Sequence, residues 1–529
     1  MRHNSSTHHP IIGIETEVRG SRWSALKRSV LTASLMLAMA GLLTACDSLA
    51  QRDADEAVAG AESIGPTEVT IDHQEPFDEA EGYTYVEATM HGEVERDDGS
   101  EGEYSVPFLL IHKNGDGNDV GVVDLTNSVF YPGTGFTVDD PNSSLMLIRQ
   151  TTDGYMFEQG YTYLALQWNK EATDFFDGDD EAAEENHLAS GSIEQASDAW
   201  EIIRDAAGFL RDPATYLDDD EAGDGATPEA VETVLSAGYS FSGVHLNTFV
   251  LEGHNEVDGE LAYDGHLVGT GGFTCHVSLE SEGVEDTGFY QWEAVPCGPD
   301  ASPPDDGSKA IAILTQATIK FSGTPRFEEE PDHWRQYELA GVAHTNPAIT
   351  PDGPLIQTDD RNPIVHIPVF RAALHNLTEW VTDGVEPPPS RFIQGELVDD
   401  FPVFEPEVDE HGNAFGGLRL PHMEKEVSGD PAGAPLGTYT GMNMDFLGYW
   451  IEDPSFDAFA GILTSITGTF TPFDEDELRE RYPDHETYVE QVTRAAESLY
   501  EDGYILEEDR DAYIDEAEQN DFFASSDGT

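Results

Sequence analysis

Residues 236–243 read Ser-Ala-Gly-Tyr-Ser-Phe-Ser-Gly and hold the residue best placed for nucleophilic chemistry, Ser240. A short β-favouring run (Val231, Thr233, Val234, Leu235) leads in, and a helix-like run over 244–251 leads out. A serine at the apex of a strand, tight turn and helix has the form of a nucleophile elbow. Strand and helix nearly touch there, so the residues two before and two after must be small; Gly238 and Ser242 meet that demand around Ser240. Taking Ser242 as nucleophile would put Val244 in the crowded position. The competing reading is an ordinary Gly/Ser turn whose serines bond local backbone.

A serine hydroxyl attacks a carbonyl only when a base takes its proton and an acid orients that base. His344 follows an expected strand, Trp334–Leu339, in a glycine-containing loop at its carboxyl end, and is the candidate base. A surface or capping histidine is the competing reading. His245, His254, His266 and His276 are alternatives, and their spacing fits no zinc motif. The oxyanion of a tetrahedral intermediate needs two backbone N–H donors. One is assigned to Phe241, after the serine, and the other to Asn127 or Ser128, after the expected strand Val120–Leu125.

The elements that must position these residues alternate. Strand patterns fall at 83–91, 104–112, 120–125, 161–167, 231–235, 310–321 and 334–339. Helical spacing falls at 145–157, at 192–210 (Ala196, Trp200, Ile203, Ala207, Leu210), at 369–383 (Phe370, Leu374, Leu377, Trp380), and at 474–497 and 507–518. Strands alternating with helices argue for a mostly parallel sheet flanked by helices. Residues 270–306 read as a cap-like insertion.

The chain has 529 residues with 105 acidic and 25 basic side chains, a net charge of −80, and 38% hydrophobic residues. That apolar share excludes global disorder, and so acidic a surface repels nucleic acid and anionic membranes. The balance looks like that of proteins from salt-loving bacteria, where ionic strength screens self-repulsion. Calcium binding is the other explanation; the runs 116–119 and 177–181 are dense in carboxylates but complete no calcium loop. No metal and no cofactor is expected. The first 46 residues read as a targeting segment: a basic flank (Arg19, Arg22, Lys27, Arg28), an apolar stretch over 30–43, then Leu43-Thr44-Ala45-Cys46. That ending resembles a bacterial lipoprotein box, which implies lipidation of Cys46 and a membrane-anchored protein of the cell envelope. Residues 47–78 read as a flexible acidic tether, 79–520 as the folded domain and 521–529 as a frayed tail. The remaining cysteines, Cys275 and Cys297, read as a disulfide stapling the insertion, or as two buried thiols.

The succession GYTYLALQWNK (160–170), SAGYSFSG (236–243), YELAGVAHT (337–345), FRAALHNLTEWVTDGVEPPPSR (370–391), DEHGNAFGGLRLP (409–421), GTYTGMN (437–443) and the segment 481–510 resembles the bacterial alpha/beta hydrolase domain proteins. The resemblance covers roughly 85–520. It implies an α/β-hydrolase fold with a family-specific C-terminal part at 385–520, Ser240 as nucleophile, His344 as base and a small-molecule ester as substrate. Two departures stand out. Phe241 and Val244 replace a Gln and an Arg of the family pattern. Where the family carries a Glu/Asp pair before the histidine, this chain reads Gln316-Ala317-Thr318-Ile319-Lys320. The acid is therefore sought in the next loop, with Glu328 first and Glu329, Glu330 or Asp332 after it. A member that keeps the fold as a binding protein without catalysis, and an acidic calcium-binding surface protein, are the rival expectations.

Overall fold

The computed structural model describes residues 64–96, 99–126, 152, 154–169, 192–217, 227–271, 276–283, 290–295, 303, 305–322, 330–344, 360–398, 403–423, 433–442 and 466–520. Contacts divide the chain into Met1–Val58 and Ala59–Thr529, and all described residues lie in the second unit.

A ten-stranded sheet organises that unit. Its strands are β1 (Glu68–Pro76), β2 (Tyr83–Glu95), β3 (Glu101–Lys113), β4 (Val120–Leu125), β5 (Thr162–Leu166), β6 (Ser192–Ile193), β7 (Thr233–Tyr239), β10 (Gly265–Gly269), β13 (Lys309–Thr315) and β14 (Trp334–Leu339). Small hairpins supply β8 (Glu256–Val257) with β9 (Glu260–Leu261), and β11 (His276–Gly283) with β12 (Tyr290–Val295). The order across the sheet is β1-β2-β3-β5-β4-β7-β10-β13-β14, with β6 beside β3. From β5 to β14 every neighbouring pair is parallel. The first three strands form an antiparallel meander, and β3 runs antiparallel to β5. The parallel strands are buried along their length, β4 and β5 at every residue, because helices cover both faces.

Side chains alternate between two cores, as the pleat requires. From β7, Leu235, Ala237 and Tyr239 enter one core; Val234 enters the other. The first core is closed by Phe370, Leu374, Leu377 and Trp380 of a long helix, Ile367–Thr382, and by the C-terminal helices. The second is closed by the helices Ala199–Arg211 and Phe241–Leu251. In chain order the described helices are α1 (Tyr155–Gln159), α2 (Ala199–Arg211), α3 (Pro213–Tyr216), α4 (Phe241–Leu251), α5 (Gln316–Ser322), α6 (Ile367–Thr382), α7 (Glu475–Arg481), α8 (His485–Glu501) and α9 (Glu507–Gln519).

Three expectations are corrected. The tether expected over 47–78 ends earlier: residues 68–76 form β1, held along β2. Of its side chains only Val69 is buried, so main-chain pairing on a sheet edge, which leaves little hydrophobic signature, holds it there. The strand expected over 310–321 stops at Thr315 and turns into α5. The helix expected over 474–497 is broken at Pro483, which lacks an N–H to continue it; Asp484 then caps α8 by accepting from Thr487 N at 2.8 Å.

The expected C-terminal part packs on the first core. Its two small hairpins pair β15 (Gly395–Val398) with β16 (Val403–Pro406), and β17 (Gly437–Thr440) with β18 (Thr469–Pro472). The triple-proline segment ties it down, because the carbonyls of Pro388 and Pro389 accept from Tyr337 and Tyr504 hydroxyls at 2.9 and 2.7 Å. Arg371 on α6 pairs with buried Asp509 on α9 at 2.9 Å. Of the expected insertion, β11 and β12 are described, with β11 beside α4.

Candidate active site

The carboxyl ends of β4, β7, β10, β13 and β14 lie along one rim, and chemistry in such sheets gathers at that rim. Ser240 is the residue between β7 and α4, with φ 60° and ψ −118°. A non-glycine residue at positive φ is strained by about 1–3 kcal/mol and persists only where its surroundings impose it. The surroundings here are tight. A Cβ on Gly238 would lie 2.8 Å from the Ser242 carbonyl oxygen, and one on Gly243 2.5 Å from that of Gly269. Ser242 Oγ closes the turn, accepting from Tyr239 N at 3.0 Å and lying 3.0 Å from Tyr239 O. The Ser240 N–H is shared between Gly269 O at 2.8 Å and Thr270 Oγ1 at 3.0 Å. Helix α4 is buried along 241–250; each large apolar side chain it buries contributes about 1.5–3 kcal/mol, so the packing outweighs the strain.

The second member arrives from the far side of the sheet. After β14 the chain turns through Gly341, at φ 70°, and reaches His344. Four contacts set this turn. Gln316 Oε1 accepts from Gly341 N at 2.6 Å; Asn362 Nδ2 donates to Gly341 O at 2.5 Å. His344 N donates to Ile466 O at 3.0 Å, and Tyr239 OH donates to His344 O at 2.5 Å. The result places His344 Nε2 2.7 Å from Ser240 Oγ, although the two are 104 positions apart. Both keep a partly exposed edge.

On the other side of the ring, Nδ1 lies 3.3 Å from Thr318 Oγ1 on α5, and Thr318 Oγ1 lies 3.0 Å from Thr315 Oγ1. A hydroxyl therefore stands where a triad carboxylate would. The described part of the expected acid loop goes elsewhere: Glu330 accepts from Ser390 N at 2.7 Å, and Pro331 O takes the N–H of Trp334. That loop feeds the amino end of β14, whereas His344 follows its carboxyl end, a strand length away. Glu328 and Glu329 lie outside the described residues. Protein packed around the His344 ring withholds water and lowers its pKa from 6.5 to about 4, and no carboxylate among the described residues opposes the shift.

The Phe241 N–H opens α4, where helical N–H groups lack intrahelical partners. Its ring stacks on Trp168, which donates to Thr126 O at 3.1 Å. Asn127 and Ser128, the other assigned oxyanion donors, lie outside the described residues, as do Cys46, Cys275 and Cys297. The alternative histidines are occupied away from Ser240. His245 packs on Trp168 and Phe241, His254 stacks on Trp200, and His266 bonds Ser236; the side chain of His276 lies outside what is described. Among the described residues no group of three or more His, Cys, Asp or Glu is arranged to hold a metal ion, and no helix is long and apolar enough to cross a membrane. The 177–181 run lies outside them.

The family model described as alpha/beta hydrolase domain matches residues 143–515. The chain belongs to this family. The parallel sheet with helices on both faces is the α/β-hydrolase fold, and the chain is similar in part to several solved esterases and lipases. They include the rice cell wall degrading esterase LipA from Xanthomonas oryzae (11% identity, TM-score 0.24, 40% of this chain and 52% of that one). A CE15 glucuronoyl esterase from Teredinibacter turnerae T7901 gives 12% identity and TM-score 0.26, over 55% of this chain and 77% of that one. Candida antarctica lipase A in its closed state gives 11% and 0.22, over 39% and 42%. The chain spans about half the length of the first of these. No curated protein matches it.

Sequence reasoning overlooked Thr318, Tyr239 and His366 in this site. Thr318 was legible as the residue standing at the acid position. Tyr239 and His366 carried no signal, since a tyrosine ending a buried strand and a histidine before a helix are ordinary core and cap residues.

Proposed function

We propose that this chain cleaves small-molecule carboxylic esters through an acyl-enzyme on Ser240. The observation that carries the reading is the 2.7 Å contact between Ser240 Oγ, on strained backbone at the sheet rim, and His344 Nε2. Ser240 Oγ bonds to the ester carbonyl carbon as its proton passes to Nε2. Phe241 N–H, with a donor from the loop after β4, stabilises the oxyanion. His344 returns the proton to the departing alkoxide as the carbon–oxygen bond breaks. Water, deprotonated by the same nitrogen, then releases the acid and restores Ser240.

Thr318 does half of an acid's work. Its oxygen accepts the Nδ1 proton of His344, leaving the Nε2 lone pair toward Ser240, and Thr315 Oγ1 lies 3.0 Å behind it. It brings no negative charge to balance the imidazolium. Turnover slower than that of a carboxylate triad, by roughly 10²–10⁴-fold, is expected.

The same substitution favours a second reading, an envelope binding protein that keeps the fold without catalysis. A fluorophosphonate probe separates the two. Labelling that disappears in Ser240→Ala supports the hydrolase; an unlabelled wild type supports the binding protein. The lipoprotein-like ending at Cys46 supports an anchored envelope location as part of the proposal. Cys46→Ser should then move the protein from the membrane fraction to the soluble one, and an unchanged distribution removes the anchor.

A further inference from the structure

We infer that Tyr239 and His366 form a clamp that sets the backbone of His344 against Ser240; the inference rests on the proposed roles of those two residues. Tyr239 ends β7 and is covalently next to Ser240. Its hydroxyl donates to His344 O at 2.5 Å and lies 3.1 Å from His366 Nε2. A phenol has one hydrogen to give. The shorter contact takes it, because a carbonyl can only accept. The contact to His366 is then made by the imidazole Nε2–H donating to the phenol oxygen. This fixes the tautomer of His366 and leaves Nδ1 an acceptor; that nitrogen is buried with no partner. A buried polar atom left in that state calls for a reason, and here the reason is the bond on the opposite side of the ring.

The clamp is held rigidly at both ends. His366 is the N-cap of α6, and its carbonyl accepts from Val369 N and Phe370 N at 3.1 and 3.3 Å. Its ring stacks on Tyr239 with centroids 5.8 Å apart and planes 17° from parallel, and Phe370 closes on both rings at 5.7 and 5.3 Å. Tyr239 and His366 are almost fully enclosed. One phenol thus refers the nucleophile, through the chain, and the base, through its carbonyl, to the same point. Tyr239 and His366 act through His344 and are positioning residues.

The test uses the full chain, a fluorophosphonate probe and p-nitrophenyl butyrate. Misplacing a base by about 1 Å costs on the order of a hundredfold. Tyr239→Phe keeps the ring and loses both bonds; it should label roughly ten- to a hundredfold more slowly, with kcat reduced and KM unchanged. His366→Leu should show a smaller loss of the same kind, and His366→Gln, which keeps an N–H donor, should recover most of it. A purely structural role predicts lower melting temperatures with the rate per folded molecule unchanged in all three. Labelling of Tyr239→Phe within twofold of wild type, or equal rates for His366→Leu and His366→Gln, overturns the clamp. Should Tyr239→Phe fail to fold, the His366 pair decides. If the wild type shows no labelling that Ser240→Ala abolishes, the hydrolase reading fails, and the clamp with it.

Discussion

Two serine–histidine pairs are built on serines four residues apart, one inside β7 and one just past its end. Ser240 Oγ is 2.7 Å from His344 Nε2, and Ser236 Oγ is 2.7 Å from His266 Nδ1. Burial lowers both histidines to about 4. Yet Ser236 sits mid-strand, paired to β4 on one side and β10 on the other, with no exposed surface. Ser240 sits past the strand end on strained backbone, its hydroxyl at a partly exposed rim. The far nitrogen of His344 meets Thr318; that of His266 is buried without a partner. Neither the distance nor the basicity of the ring separates a reactive pair from a structural one. Backbone conformation, access and the partner behind the ring do.

The sharpest way to break this comparison is to remove each hydroxyl. Ser240→Ala should abolish fluorophosphonate labelling and ester turnover with little change in melting temperature. Ser236→Ala should keep labelling within about twofold and lose roughly 1–3 kcal/mol of stability, because His266 Nδ1 then loses its buried partner. The reverse pattern in a labelling assay and a denaturant melt would give the chemistry to the buried pair.

The next effect is on pH dependence. His344 at about 4 stays neutral, so labelling should hold level from pH 8 down to about 5 and fall only near 4. Thr318→Asp places a carboxylate against Nδ1 and favours the imidazolium. Its acidic limb should move up toward pH 6.5 or beyond, with kcat at pH 8 rising roughly tenfold or more. Superimposable pH profiles would mean that residue 318 does not face the His344 ring.

How much of this was legible beforehand follows from where the information lies. Gly238, Ser240 and Ser242 declare the elbow in eight contiguous residues because its constraint is local: two backbones touch, and only small side chains fit. The parallel strands were legible as compact apolar runs. Edge strand β1 was not, since Ile71, His73 and Gln74 are only half buried and the strand is held by its backbone. Among the site residues, His344 was found from its place after β14. Thr318 was passed over because a hydroxyl was not sought where a carboxylate was expected. The Tyr239–His366 contact joins positions 127 residues apart and depends on α6 swinging back over β10 and β13, which nothing in either local sequence records.

The smallest effect concerns stability alone and belongs to the buried pair. His266 has a pKa of about 4 in the folded chain, with desolvation the largest cause, against about 6.5 when unfolded. Between those values the unfolded chain takes up a proton that the folded chain refuses. The stability from keeping this ring neutral is therefore complete above pH 6.5 and is lost as pH falls toward 4, by at most about 3 kcal/mol. Asp205 runs the other way: its buried carboxyl is raised to about 7, so it adds stability as pH falls from 7 toward 3.8. That contribution is common to wild type and variant and cancels in their difference. Denaturant melts of wild type and His266→Gln, across pH 7.5 to 4.5 at high salt, should show the wild-type advantage shrinking steadily below 6.5. An advantage constant with pH would mean that His266 titrates alike in both states, and that water reaches the middle of the sheet as readily as it reaches the rim.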